Sequence, residues 1–124
     1  MTIINTPKAP APIGPYNQAV KSGNLLFISG QICLVPATGE LKNANLQEET
    51  EQVMLNLQAI LQEAGIHFGN VVKTTIFLTD MHRFTEVNEV YGKFFDGNFP
   101  ARETVQVSAL PKFVNVEISM IAAF

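Results

Sequence analysis

The chain has no tryptophan, two histidines and one cysteine in 124 residues. Each scarcity excludes something. Cys33 cannot close a disulfide within the chain, so the fold must rest on packing, as suits a reducing compartment. Neither a His-x-x-x-His nor a Cys-x-x-Cys spacing occurs, and one thiol with two imidazoles makes a poor ligand set, so no metal is expected. Phosphate-cradling glycine loops and Gly-x-Ser-x-Gly nucleophile motifs are also missing, and no organic cofactor is expected. Charged residues make up only 15% of the chain, with a net charge of −3 and eight scattered Lys and Arg. Binding a nucleic-acid backbone needs several cations converging on one groove, so this balance argues against such a partner. No apolar run approaches the roughly 20 residues of a membrane span. The opening Met1 to Lys8 lacks the basic stretch and apolar block of a secretory signal, and a cytoplasmic location is expected.

What is present suits one globular domain over residues 1–124, with 47% hydrophobic residues. Pro7, Pro10, Pro12 and Pro15 keep the first stretch extended. A short strand at Gln18 to Val20 and a second at Leu25 to Ser29 flank a hairpin turn at Lys21 to Asn24. Asn45 caps a helix whose first turns carry Glu48, Glu49 and Glu51 and which Gly65 stops. Leu46, Val53, Leu57, Ile60, Leu61 and Ala64 fall on its packing face. A β-branched strand runs from Val71 to Thr79, followed by a turn at Asp80 to Arg83. Phe84, Val87, Tyr91, Phe94 and Phe95 mark a second amphipathic helix, ended near Gly97. Strands near Glu103 to Val107 and Val114 to Ala122 complete an α+β order of β-β-α-β-α-β-β. One mixed sheet with both helices on one face is the economical arrangement, and another subunit is expected to cover the bare face.

Two residues stand out chemically. Arg102 lies at a strand mouth after Pro100-Ala101, where its planar fork could hold a carboxylate at two points. A salt bridge to a helix acid is the alternative. Glu117 sits among Val114, Val116, Ile118 and Met120, but alternation turns it to the opposite face with Asn115, Ser119 and Ile121. It is an ordinary acid if that face is wet. Covered by a second subunit, it becomes a partly desolvated carboxyl able to work on a bound water. His67 and His82 read as solvated turn residues, and Cys33 as a buried, inert thiol.

The segments Ile13-Gly14-Pro15-Tyr16, Ile28-Ser29-Gly30-Gln31, Pro36-Ala37-Thr38-Gly39-Glu40, Val71-Val72-Lys73-Thr74-Thr75, Val87-Asn88-Glu89-Val90-Tyr91, Pro100-Ala101-Arg102 and Val116-Glu117-Ile118 together resemble the YjgF/Rid family of reactive intermediate deaminases. The similarity runs in order from about Ala9 almost to the end. It implies a chorismate-mutase-like homotrimer with a central barrel and three clefts between subunits. It also implies hydrolysis of 2-iminobutanoate or 2-iminopropanoate, released as enamines by pyridoxal-phosphate enzymes, to 2-keto acids and ammonia. By the same resemblance, Arg102 anchors the substrate carboxylate and Glu117 orients or activates the attacking water. Tyr16, Ser29, Gly30, Asn88 and Thr104 match positions lining the cleft, Thr104 standing where many relatives have cysteine. Ser119 replaces a common second glutamate, Cys33 a common proline, and Ser108-Ala109 a common Ala-Arg pair. Two rival functions stay open: an endoribonuclease or translation inhibitor, and a small-carboxylate binding protein without turnover.

Overall fold

Helix α1 (Leu46–Glu63) forms where the caps place it. The Asn45 side chain accepts from the Glu48 amide at 2.8 Å, and Gly65 takes φ +79° just beyond the last turn. Its apolar stripe, including Val53, Leu57, Ile60 and Leu61, is fully buried. A second helix, α2 (Phe84–Gly92), is shorter than its aromatic spacing suggests. It ends before Phe94 and Phe95, whose rings pack in a loop against Phe68 at 5.5 and 5.4 Å.

Both helices lie on one six-stranded sheet, described with all of residues 1–124 by a computed structural model. The strands are β1 (Thr2–Ile4), β2 (Ala19–Ser22), β3 (Leu25–Gln31), β4 (Val71–Leu78), β5 (Ala101–Gln106) and β6 (Val116–Ala123). Their order across the sheet is β1-β2-β3-β6-β4-β5, antiparallel except for β4 with β5. The expected order lacked β1. Three residues after the initiator end have no alternation to read, and only pairing of Thr2, Ile3 and Ile4 with Lys21, Val20 and Ala19 makes them a strand.

Alternation along the central strands decides what each face carries. Leu26, Ile28, Thr74, Ile76, Leu78, Val116, Ile118, Met120 and Ala122 are buried under the helices. The opposite face carries Phe27, 44% exposed, and Val105, 43% exposed, beside half-buried Phe77 and Ile121. These are large apolar side chains on an open sheet face, which water covers poorly.

Polar residues inside the core set the strands and loops that bear the candidate residues. Glu49, read above as a first-turn charge, is fully buried. Its carboxylate accepts from the amides of Asn115 and Val116, at 2.7 and 3.1 Å, and from Asn115 Nδ2 at 2.8 Å, tying α1 to the start of β6. Gln18 binds the proline-rich segment: its amide nitrogen donates to the carbonyls of Thr6, Ala9 and Pro10, and its oxygen accepts from the Thr6 amide. Asn56 donates to the carbonyls of Ile32 and Leu34, fixing the chain that leaves β3.

Candidate active site

The sequence-predicted residues fall into two groups, on opposite faces of the sheet. Glu117 pairs with Phe77 on β4, whereas Arg102 pairs with Thr74. Three positions apart on one strand, Phe77 and Thr74 face opposite ways. Thr74 is buried under the helices and Glu117 lies on the open face. Within one chain, the two leading candidates do not meet.

The first group surrounds a cavity of about 470 Å³ lined by Tyr16, Ser29, Gly30, Pro111, Lys112 and Glu117 among others. Its walls follow from the fold. The Gln18 anchor carries the Pro10–Tyr16 segment, and the Asn56 anchor holds Ile32 and Leu34. The ladder between β3 and β6 slips between Ile28 and Gln31, a bulge that re-aims Ser29 and Gly30. Ser29 donates its hydroxyl to the Asn17 carbonyl at 2.6 Å, keeping its oxygen lone pairs available. At Gly30 the absence of a side chain is what matters. A Cβ there would collide with the Glu117 carboxylate, so only glycine lets that carboxyl lie against the strand.

Glu117 has no ion-pair partner in the chain, and burial pushes its carboxyl above the ordinary carboxylate range. Such a group holds a proton more readily than an exposed acid. Lys112 shares the cavity, on a backbone at φ +55°. Lys112 and Phe113 both adopt left-handed conformations, which no glycine or asparagine at these positions signals.

The second group lines another cavity of about 470 Å³, formed by Asn88, Tyr91, Gly92, Phe99, Pro100 and Arg102. No acid pairs with Arg102, so the salt bridge left open by the sequence is not formed within the chain. Its Nη1 donates to Asn88 Oδ1 at 2.7 Å, while the guanidinium lies against the rings of Phe84 and Tyr91 at 5.3 and 5.2 Å. In the sequence Phe84 and Tyr91 mark the apolar stripe of an amphipathic helix and nothing more specific. Their i, i+7 spacing around Asn88 was the available signal. Thr104 follows Arg102 on the same face of β5, and its hydroxyl is buried without a hydrogen-bond partner.

The remaining candidates keep structural roles. His67 is exposed and accepts from the Gly69 amide at 3.0 Å, and His82 is exposed beside Asp80. Cys33 is fully buried, which pushes its thiol up to about 11 and leaves it protonated at neutral pH. No helix is long and apolar enough to cross a membrane.

A family model described as Endoribonuclease L-PSP matches residues 6–124. The chain belongs to this family, the YjgF/Rid family. Among its relatives, the 2-iminobutanoate/2-iminopropanoate deaminase of Mus musculus is 50% identical over 120 residues, covering 97% of this chain and 89% of that protein. The crystal structure of E. coli TdcF with bound serine superposes with a TM-score of 0.96 at 43% identity, covering 100% of this chain and 99% of that one. RidA from an Antarctic Psychrobacter gives a TM-score of 0.96 at 44% identity over the full length of both. Rid-family membership therefore rests on the whole chain, including both cavities.

Proposed function

We propose that this chain is a 2-iminobutanoate/2-iminopropanoate deaminase whose cleft forms where the Arg102 cavity of one copy meets the Glu117 cavity of the next, in a homotrimer. The observation that carries the reading is the division itself. One face offers an unpaired guanidinium and no base, and the other a desolvated carboxyl with no arginine fork beside it. A copy that covers the open apolar face would unite them.

The chemistry asks for little more. Arg102 holds the carboxylate of a short 2-imino acid, and Asn88 fixes the guanidinium that does so. Water attacks the carbon of the protonated imine as Glu117 takes one of the water's protons, giving a neutral carbinolamine whose nitrogen is an NH2 group. Glu117 returns that proton to the nitrogen, the C–N bond breaks as ammonia leaves, and the hydroxyl proton passes to the departing ammonia to leave the keto oxygen. Water and protonated imino acid thus become 2-keto acid and ammonium. Fixing the carboxylate end holds the imine carbon near the water, a form of positioning that lowers the barrier by several kcal/mol when the geometry is right. The crystallised TdcF carried serine, which keeps a binding-only reading in view.

A coupled assay separates turnover from binding. Threonine dehydratase would generate the imine precursor in place, and keto-acid release would be followed with and without the protein. The deaminase reading expects acceleration, and its absence refutes that reading. The shared cleft is tested by mixing. Arg102→Lys and Glu117→Gln chains should each be nearly inactive. After co-refolding, one-half times one-half, or roughly a quarter, of the clefts would combine an intact Arg102 with an intact Glu117. Activity should recover toward that fraction. No recovery from chains shown to have mixed would place both residues in one subunit's site.

A further inference from the structure

We infer that Phe84 and Tyr91 are positioning residues for Arg102, an aromatic cradle on α2 that fixes the plane of the guanidinium. The inference rests on Arg102 being the carboxylate anchor of the proposed function. It assigns the orientation of that anchor to two rings on α2.

The contacts form a closed loop. Arg102 on β5 is paired through the backbone with Thr74 on β4. The Thr74 hydroxyl accepts from the Tyr91 hydroxyl at 3.0 Å, with both residues buried. The Tyr91 ring then meets the guanidinium at 5.2 Å, with Phe84 contributing a second ring at 5.3 Å. Asn88 takes Nη1 from the same face of α2. Residues 84, 88 and 91 follow i, i+4, i+7 spacing, so a single helix face supplies ring, amide and ring.

This arrangement does something that charge alone does not. An arginine on an exposed strand edge has four free torsions, and its fork would sample many planes. Ring contacts favour a guanidinium held against them, and the Asn88 bond selects the edge that is used up. The Nη2 and Nε edge stays free for a carboxylate. Tyr91 cannot shift without breaking its bond to Thr74 on a central strand, so the cradle takes its stiffness from the core.

The test is equilibrium binding of 2-oxobutanoate by calorimetry, run separately from turnover. Tyr91 is buried, so the variants are made at Phe84, which is only partly so. Phe84→Leu keeps apolar bulk but loses the aromatic face, and should weaken binding about three- to fivefold. Phe84→Tyr keeps the face and should bind like the parent. Repeated on Arg102→Lys, where there is no plane to orient, Phe84→Leu should change binding less than twofold. Melting and sedimentation confirm that each variant is folded and assembled like the parent. An equal loss in both backgrounds, or Phe84→Tyr as weak as Phe84→Leu, would overturn the cradle. Failure of the parent to bind the keto acid would overturn it too. Binding with the expected pattern but no imine turnover would support the cradle and sink the deaminase reading alone.

Discussion

Replacing Gly30 with alanine should disable the protein while leaving it folded. An alanine Cβ would lie 2.8 Å from Glu117 Cδ and 3.1 Å from Cγ, and closer still to one carboxylate oxygen. The three nearest atoms all belong to the Glu117 side chain, and Gly30 does not occupy the left-handed region, so the backbone accepts alanine. The clash falls on the mobile end of a flexible side chain, which can rotate away at small cost. Restoring ordinary contact requires the carboxyl to move by about 1 Å, and misplacement on that scale costs on the order of 100-fold in rate. Stability should change by less than about 1 kcal/mol, as for a tolerated surface substitution. The coupled assay measures kcat/KM, thermal melting reports the fold, and 2-oxobutanoate binding reports the Arg102 side. Turnover within threefold of the parent, with the fold intact, would show that the position of Glu117 against Gly30 is irrelevant to catalysis.

Glu117→Gln should bind 2-oxobutanoate like the parent and turn over slowly, since it removes the proton acceptor and spares the anchor. The same variant should alter stability in a pH-dependent way. Burial raises the folded carboxyl's pKa above its unfolded value, so the stabilising contribution is full below the ordinary carboxylate range and is lost as pH rises through the folded value. Denaturant titrations should therefore find Glu117→Gln more stable than the parent near pH 8, with the gap closing toward pH 4; a gap that widens in acid would contradict the sign. Phe113→Gly should stabilise the fold by about 0.5–1 kcal/mol, because a left-handed phenylalanine costs about 1–2 kcal/mol and added chain entropy returns part of that gain to the unfolded state. Phe113 is 87% exposed at φ +56°, so little packing is lost; a fall in stability would show that a partner subunit buries it.

Much of this fold was legible because short-range signals agreed with long-range packing. The Asn45 cap, the Gly65 stop and the alternation around Glu117 each rest on a local rule that nothing in the tertiary structure opposes. What escaped the sequence depended on distant partners. Strand β1 exists only through β2, and the burial of Glu49 only because α1 delivers it to two amides at the start of β6. Arg102 and Glu117 each stand out in the sequence, but nothing in their spacing places them on opposite faces. That follows from β6 entering the sheet between β3 and β4, which makes Phe77 rather than Thr74 the neighbour of Glu117. The cradle on α2 was hidden for another reason: an aromatic at helical spacing reads as core, and Tyr91 is core as well as a support for Arg102.

The separation of the two charged groups has a consequence for how the acid is tuned. Alone, Glu117 is raised by desolvation with no cation to oppose it. In the proposed cleft a neighbouring copy would remove more water, raising the carboxyl further, while its Arg102 would favour the ionised form and lower it. A substrate carboxylate on Arg102 would cancel much of that cation's field. Glu117 would then regain proton affinity as the site fills, when a proton must be taken from water and passed to the amine. Such tuning requires the anchor and the acid to be brought together by assembly and coupled through the ligand. A single chain that kept both on one face would hold them as a permanent ion pair, with the acid locked in its ionised form and the fork already occupied.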